Sequence, residues 1–276
     1  MAYRTVMTYL QAGADNQGVL GVVSDLAGLF DASVIGISAC QPVNPMYEEG
    51  FTAGDVVVED RAEINKELAA AEQQFRDVLD SKVARLEWRS TVTYGLLADY
   101  VAEQARAADL IVLGKPVSGA FFDRTRWLDV GSLVMQAGRP VLLVPNAISS
   151  LSLRHVIAGW KDTREARRAV SDALPLLRAA ERSTVLEVCK AGQRAQAQQR
   201  VQDVASWLER LDVHASPLAV EAEGTEIGFL RREMHRHTCD LLVAGAYGHN
   251  RLNEWVFGGV TQDFLLDPEF CVLLSH

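Results

Sequence analysis

The chain has 276 residues, of which 49% are hydrophobic and 23% charged, as expected of a globular protein with ample material for a core. Its net charge of −9 disfavours nucleic acid or an anionic membrane as the main partner. No apolar run reaches the roughly 18 residues of a transmembrane helix, and residues 1–5 lack the layout of a secretion signal, so we expect a cytoplasmic protein.

The first half of the chain alternates between strand-like and helix-like patterns. Short apolar or β-branched runs predict strands, and longer segments with apolar residues at helical spacing predict helices. In order these are strand 5–10, helix 19–30, strand 33–39, helix 57–82, strand 86–92, helix 96–107, strand 110–113, helix 130–137 and strand 141–144. Prolines and glycines predict a loop over 41–54. Such alternation predicts a mostly parallel sheet whose ligands bind at the carboxyl ends of the strands.

After a short polar joint at 146–152, the same order of elements returns. The second set is strand 155–160, helix 164–179, strand 184–189, helix 194–211, strand 213–220, helix 227–237, strand 241–244 and strand 271–274. The letters repeat as well: residues 107–114 match 238–245, and residues 139–145 match 270–276 at the same offset. The sequence therefore predicts two tandem α/β domains, at 1–148 and 152–276.

Residues 240–267 of the second copy carry the most informative pattern. The apolar run is followed by Gly245, two residues, Gly248, nine residues, and then Gly258 and Gly259 before a helix-like segment at 260–266. Glycines let a backbone approach an anion closely, and the unpaired N–H groups of a helix start point at it. A glycine pair taken alone would favour the simpler interpretation, in which it only ends a strand and starts a helix.

The tandem arrangement and the spacing G-2x-G-9x-G resemble the universal stress protein family. The resemblance implies two five-stranded, parallel, Rossmann-like domains of the adenine nucleotide α-hydrolase-like type, related by a pseudo-twofold. It implies bound ATP, with Mg²⁺ entering only with the nucleotide. It also implies that strands 141–144 and 271–274 pair, so that one chain mimics the family's dimer, and that two chains could associate further as a homodimer.

The resemblance places the nucleotide pocket in the second copy. The residues that it assigns to the nucleotide are Gly159, Trp160, Val188, Ala244, Gly245, Gly248, His249, Arg251, Gly258, Gly259, Val260 and Thr261. His249 and Arg251 also fit a role as solvated loop residues. Trp160, like Trp255 and Phe257, fits packing in a core or interface better than stacking on a base.

The sequence departs from the family pattern at several positions. Gly259 stands where the motif has a serine or threonine that contacts phosphate, although Thr261 could supply a hydroxyl. Lys161, followed by Asp162, stands where nucleotide-binding members have an acidic residue. The first copy has lost the second glycine, to Val117. The first copy is therefore interpreted as a degenerate site.

We find no catalytic or metal-binding constellation in the sequence. It has no Walker-type loop, Rossmann glycine motif or zinc-protease motif, and its four cysteines, Cys40, Cys189, Cys239 and Cys271, form no CxxC pair, so we expect buried reduced thiols. His235 and His237, two apart on a helix, cannot easily share a metal ion.

The first hypothesis is therefore a stress-response protein that binds ATP or a related adenine nucleotide in the second copy without dedicated catalysis. The second is an interaction module that has lost nucleotide binding, which Gly259 and Lys161 favour. The third, with the least support, is an enzyme that acts on a nucleotide or a small anion.

Overall fold

A computed structural model describes residues 2–42, 53–115, 127–222, 226–246 and 269–276, without the side chains of 53–56 and 226–228. The fold is α/β, as predicted, and the chain divides into two compact units, 3–139 and 140–276. Within the described ranges, no helix is long and apolar enough to cross a membrane.

The unit of residues 3–139 is built on four parallel strands in the order β3-β2-β1-β4. Its elements are β1 (Thr5–Tyr9), α1 (Gln17–Phe30), β2 (Ser33–Cys40), α2 (Ala53–Leu79), β3 (Leu86–Val92), α3 (Leu97–Gln104) with a 3₁₀ turn (Ala105–Ala107), β4 (Leu110–Gly114) and α4 (Val130–Gln136). The central strands β1 and β4 are almost entirely buried, as their apolar sequences predict.

The unit of residues 140–276 is built on six strands in the order β5-β10-β9-β6-β7-β8. Its elements are β5 (Val141–Val144), β6 (His155–Gly159), α5 (Arg164–Asp172), α6 (Leu174–Ala179), β7 (Arg182–Cys189), α7 (Arg194–Glu209), β8 (Ala215–Glu221), α8 (Glu226–Arg236), β9 (Leu241–Gly245) and β10 (Cys271–Ser275). Five of these strands are parallel, and β5 runs antiparallel to β10 with Leu142 opposite Leu273.

The pairing of β5 with β10 affects where the chain divides. Strand β5 is hydrogen-bonded to β10 and belongs to the same compact unit. The boundary between the two units therefore falls between residues 139 and 140. The sequence repeat instead counts β5 as the last strand of the first copy. The domain boundary at 148–152 stays a prediction.

Two helices depart most clearly from their predicted bounds. The helix predicted over 164–179 is broken into α5 and α6 at Ala173, because Pro175 has no backbone N–H and is tolerated in the first turn of a helix but not in its interior. Helix α2 begins at Ala53, inside the end of the predicted 41–54 loop. Residues 43–52 of that loop lie outside the described residues.

Gly36 of β2 shows how helix α2 packs on the first sheet. A Cβ at Gly36 would lie 2.6 Å from the Trp88 ring and 2.7 Å from the Phe75 ring. The two rings are 5.3 Å apart and lie over the bare backbone of this glycine. The absence of a side chain therefore lets Phe75, which is fully buried, fix α2 to the sheet.

Candidate functional site

The strand order of the second unit creates a switch point at the carboxyl edge of its sheet. Strand β6 lies between β9 and β7, with Gly159 opposite Ala244 on one side and Leu186 on the other. The chain crosses from β6 to β7 in one direction and returns to β9 on the opposite side. Ligands of doubly wound sheets bind at such a point, outside the carboxyl ends of the strands.

The residues assigned to the nucleotide from the sequence fall into two groups. Five of them lie in or directly after the last two residues of β6, β7 and β9, and therefore at one edge of the sheet: Gly159, Trp160, Val188, Ala244 and Gly245. The other seven lie outside the described residues: Gly248, His249, Arg251, Gly258, Gly259, Val260 and Thr261.

Gly245 lies against the backbone of the first turn of α5. A Cβ at this position would lie 2.5 Å from the Ala166 nitrogen and 2.6 Å from the Glu165 carbonyl carbon. Real side chains do not approach a backbone so closely, so residue 245 must be glycine for α5 to sit on the end of β9. Gly245 thus has a packing role that does not depend on any ligand.

The start of α5 is capped by the chain's own side chains. The Thr163 hydroxyl accepts a hydrogen bond from the Ala166 N–H at 3.3 Å. The carboxylate of Glu165 is 4% exposed and accepts from Arg164. Burial raises the pKa of Glu165, but hydrogen bonds from Arg164, its own N–H and Thr163 outweigh burial and lower the pKa overall. This buried negative charge occupies the positive end of α5, so that end is not an open anion site.

The charges at this edge are mostly paired. Glu187, a buried residue of β7, accepts a bifurcated hydrogen bond from the Nε–H of Arg200 on α7, at 3.2 and 3.1 Å to its two carboxylate oxygens. Arg167 pairs with Asp162. Lys161, which is exposed directly after Trp160, forms no ion pair with any residue in the described ranges. Lys161 is therefore a cation that an anionic ligand at this edge could recruit.

Trp160 offers a second group to a ligand. Its backbone N–H donates to the Leu186 carbonyl at 2.7 Å, which holds the residue beside the switch point. Its indole Nε1 is buried and has no hydrogen-bond partner in the part of the chain that the structure describes. A buried donor without a partner costs about 1–3 kcal/mol, so a ligand that accepts from it would gain affinity.

At the equivalent edge of the first unit, helix α2 packs against the loop after β1 and leaves a cavity of about 200 Å³ beside it. Gln74 of α2 accepts hydrogen bonds from the backbone and side-chain nitrogens of Asn16 at 3.0 and 3.2 Å, which ties down the loop after β1. Gly13 in the same loop has a positive φ of 72°, and an added Cβ would lie 2.9 Å from the Glu67 carboxylate. The glycine spacing, which the second copy keeps and the first copy loses at Val117, is what makes the second unit the candidate site.

Two residues at the candidate site escaped the sequence analysis. Glu187 carried a usable signal, because a single carboxylate interrupts the apolar run 184–189 and a buried charge needs a partner. Glu165 carried none, because it stands in a stretch of charged residues, 161–168, that is typical of a solvated helix start.

The two histidines that could suggest a metal site have separate roles. His237 approaches the Glu233 carboxylate at 3.5 Å, and His235 pairs with Glu269. No group of three potential metal ligands is found among the described residues.

Comparison with known proteins connects this fold to solved structures. No family model and no curated protein matches the sequence. A universal stress protein from Archaeoglobus fulgidus DSM 4304 superposes with a TM-score of 0.74 at 10% identity, over 98% of this chain and 97% of that one. Two Pseudomonas aeruginosa structures superpose with TM-scores of 0.64 over 99% of this chain, at 13% and 14% identity and over 92% and 93% of their own lengths. The first, from strain PAO1, is of unknown function, and the second, from UCBPP-PA14, is assigned as a universal stress protein. The chain therefore has, along nearly its whole length, the universal stress protein fold.

Proposed function

We propose that the chain is a universal stress protein that binds ATP or a related adenine nucleotide in its second half. One observation supports this most strongly: five of the residues that the resemblance assigned to the nucleotide lie at the carboxyl ends of β6, β7 and β9, on both sides of the switch point. Doubly wound sheets bind ligands at that place, and the rest of the motif, in residues 247–268, follows β9 in the sequence.

In this proposal the glycines of the motif hold the phosphates through backbone N–H groups. Gly248, Gly258 and Gly259 would let the loop approach the anion, and Thr261 would supply the hydroxyl that residue 259 lacks. The exposed ammonium group of Lys161 would add charge to the same site. Mg²⁺ would enter with the nucleotide, held by its phosphates and by water.

We propose binding without dedicated catalysis. A general base must have a carboxylate or imidazole free to take a proton, but Glu165 and Glu187 are both held by arginines at this edge. Any hydrolysis would then be slow. We further propose a cytoplasmic protein in which β5–β10 pairing is the counterpart of strand pairing between two single-domain chains, with a homodimer as a further assembly.

Isothermal titration calorimetry with ATP tests the proposal. Gly248→Val should weaken binding by at least about tenfold, which is about 1.4 kcal/mol, because the side chain would block close approach of the loop. Gly114→Ala, at the glycine of the first copy that corresponds to Gly245, is the matched control. Among the described residues, an added Cβ there meets Val19 alone, at 3.8 Å, and binding should not change. Absence of heat with wild-type protein at millimolar ATP would contradict the proposal.

The alternative is an interaction module of the same fold that binds no nucleotide. Its specific support is the exposed Lys161 in place of an acidic side chain that could hold a ribose hydroxyl. Correctly folded wild-type protein that binds neither ATP, ADP nor AMP would favour this alternative. Steady ATP turnover abolished by one side-chain substitution would instead favour an enzyme.

A further inference from the structure

Strand β3 is the edge strand of the first unit's sheet. It comes first in the order β3-β2-β1-β4 and pairs with β2 along its whole length, Leu86–Val92. None of its seven residues is buried, whereas the central strand β1 is buried at four of its five residues. A strand of this length and exposure can offer unpaired backbone groups to another chain.

The hydrogen bonds to β2 fix which backbone groups of β3 face outward. The Val34 N–H donates to the Arg85 carbonyl at 3.0 Å, and the Thr93 N–H donates to the Cys40 carbonyl at 3.0 Å. The direction of the backbone groups alternates along a strand, so the odd-numbered residues of 85–93 face β2. The even-numbered residues face outward, and their outward groups have no hydrogen-bond partner in the described part of the chain: Leu86, Trp88, Ser90 and Val92.

The edge strand of the second unit, β8, is protected in a way that β3 is not. The Ala222 N–H donates to the Cys189 carbonyl at 2.9 Å, so the odd-numbered residues of β8 face outward. One of them is Pro217, which has no N–H to offer. Strand β3 contains no proline, and its two charges cancel, because Arg89 donates to Glu87 at 2.7 Å. Two common means of blocking an edge, proline and net charge, are therefore absent from β3.

The outward groups of β3 are arranged so that two copies of the strand can pair with each other. A twofold axis makes the paired strands antiparallel and brings the same surface of both copies together. With Trp88 opposite Trp88 of the second copy, Leu86 lies opposite Ser90 and Ser90 opposite Leu86. All of these residues direct their backbone outward, so each opposed pair can exchange two hydrogen bonds.

The charges of β3 favour this register. Glu87 and Arg89 alternate with Trp88 and share the other face of the strand. When the axis passes through Trp88, Glu87 lies directly opposite Arg89 of the second copy, at positions where side chains come closest. An axis through Glu87 or through Arg89 would instead place each of these side chains opposite its own copy, and like charges directly opposite are destabilising.

We propose that two copies of this chain associate through antiparallel pairing of their β3 strands, with Trp88 at the twofold axis. The Trp88 ring is already held 5.3 Å from the Phe75 ring, so an aromatic pair across the axis needs little ordering of side chains. The pairing gives a contact to the homodimer included in the proposed function. It involves no residue of the candidate nucleotide site, so its test needs no nucleotide and does not depend on ATP binding.

Exchange of the two charges tests the pairing and its register. Sedimentation and light scattering should show a dimer of the wild-type chain. Glu87→Arg and Arg89→Glu should each raise the dimer dissociation constant at least about tenfold, because each puts two pairs of like charges across the axis. An equimolar mixture of the two variants should associate again, since every opposed pair is then of opposite charge. Glu63→Arg, at an exposed position of α2, changes the net charge equally and should leave the dimer intact.

Ser90→Pro tests the pairing without a change of charge. It removes an outward N–H that β2 does not use, so the variant should keep its thermal stability but lose the dimer. It also keeps the test valid if Arg89→Glu unfolds through loss of the 2.8 Å bond from Arg89 to Gln104. A monomeric wild-type chain at about millimolar concentration would overturn the proposal. So would a dimer that survives Ser90→Pro, or a mixture of folded charge variants that associates no better than either variant alone.

Discussion

The side-chain oxygen of Gln198 on α7 accepts a hydrogen bond from the Ala219 N–H of β8 at 3.1 Å, and its amide nitrogen donates to the Pro217 carbonyl at 3.4 Å. Strand β8 pairs with β7 and is last in the strand order. The Gln198 side chain therefore pairs with one backbone donor and one backbone acceptor of the edge strand β8, as a neighbouring strand would. Proteins need such devices because an open edge recruits other chains.

Gln198→Leu should open this edge. It leaves the Ala219 N–H and the Pro217 carbonyl without their partner, so we expect a loss of about 1–3 kcal/mol in the free energy of unfolding. We also expect concentration-dependent self-association, measured by light scattering after size-exclusion chromatography. Gln199→Leu is the matched control, because the neighbouring Gln199 donates to the exposed Asp203 on its own helix. Identical mass and stability of the two variants would disprove the role of Gln198.

Gly245→Ala should destabilise the second unit even without ligand. The new Cβ would clash with backbone atoms of α5 at 2.5 Å, and such overpacking costs about 1–3 kcal/mol. Gly159→Ala, on the neighbouring strand, meets its nearest atoms at 3.5 Å and should be neutral or gain up to about 1 kcal/mol. Urea unfolding of both variants measures the difference. A stable Gly245→Ala protein would show that the contact with α5 is not rigid.

His155 should make the folded state sensitive to mild acid. Its Nδ1 lies 2.7 Å from the His237 carbonyl and 2.9 Å from the Arg182 Nη2, and its Nε2 lies 2.9 Å from the Thr184 hydroxyl. Burial lowers the pKa of His155 most. The bond to the His237 carbonyl opposes this, the charges of Arg182 and His237 add to the lowering, and Asp240 raises the pKa slightly.

A lowered pKa in the folded state means that the unfolded chain binds the proton more readily. Stability is therefore full above the ordinary histidine pKa of about 6.5 and falls as the pH drops from there toward the lower folded pKa. The slope for one group is at most about 1.4 kcal/mol per pH unit. Unfolding free energies between pH 7.5 and 5 should show this loss in wild type and in the exposed control His214→Gln, but less in His155→Gln. The same slope in all three proteins would exclude His155 as the cause.

The Glu187–Arg200 ion pair should affect stability mainly because loss of Arg200 leaves the Glu187 carboxylate buried and unpaired. Arg200→Met removes the partner of a carboxylate whose side chain is 9% exposed, so we expect a loss of about 1–3 kcal/mol. The double variant Glu187→Leu with Arg200→Met should recover part of this loss, because no charge is then left buried. Thermal or urea unfolding of the single and double variants measures the coupling. A double variant no more stable than Arg200→Met would contradict this account.

The order of the elements was predictable because each is encoded locally. Apolar runs marked the buried strands of both units, and the repeat placed them in two equivalent sets. The break between α5 and α6 was also local, and Pro175 could have revealed it. The contacts of Gln198 with β8 and of Gly245 with α5 could not be predicted, because they join residues distant in sequence whose approach is set by tertiary packing.

The candidate site likewise combines features that the sequence predicts with features that only tertiary packing determines. The glycine spacing predicted which strand end matters, and the sheet order places Trp160 and Gly245 near each other. The sequence could not show that Gly245 is already required by a helix. It also could not show that Glu165 turns back to neutralise the start of that helix. Loss of nucleotide binding in a Gly245 variant would therefore mix two causes, whereas Gly248 is the cleaner position to test.

The antiparallel pairing of β5 with β10 bears on how the chain can be dissected. A fragment starting at residue 152 would carry the whole second copy of the repeat but would leave the backbone of β10 uncovered along Val272–Leu274. A fragment starting at residue 140 keeps that strand covered. The half that holds the candidate nucleotide site therefore depends on four residues that the repeat assigns to its neighbour, Val141–Val144. The two copies of the repeat are for this reason not interchangeable modules.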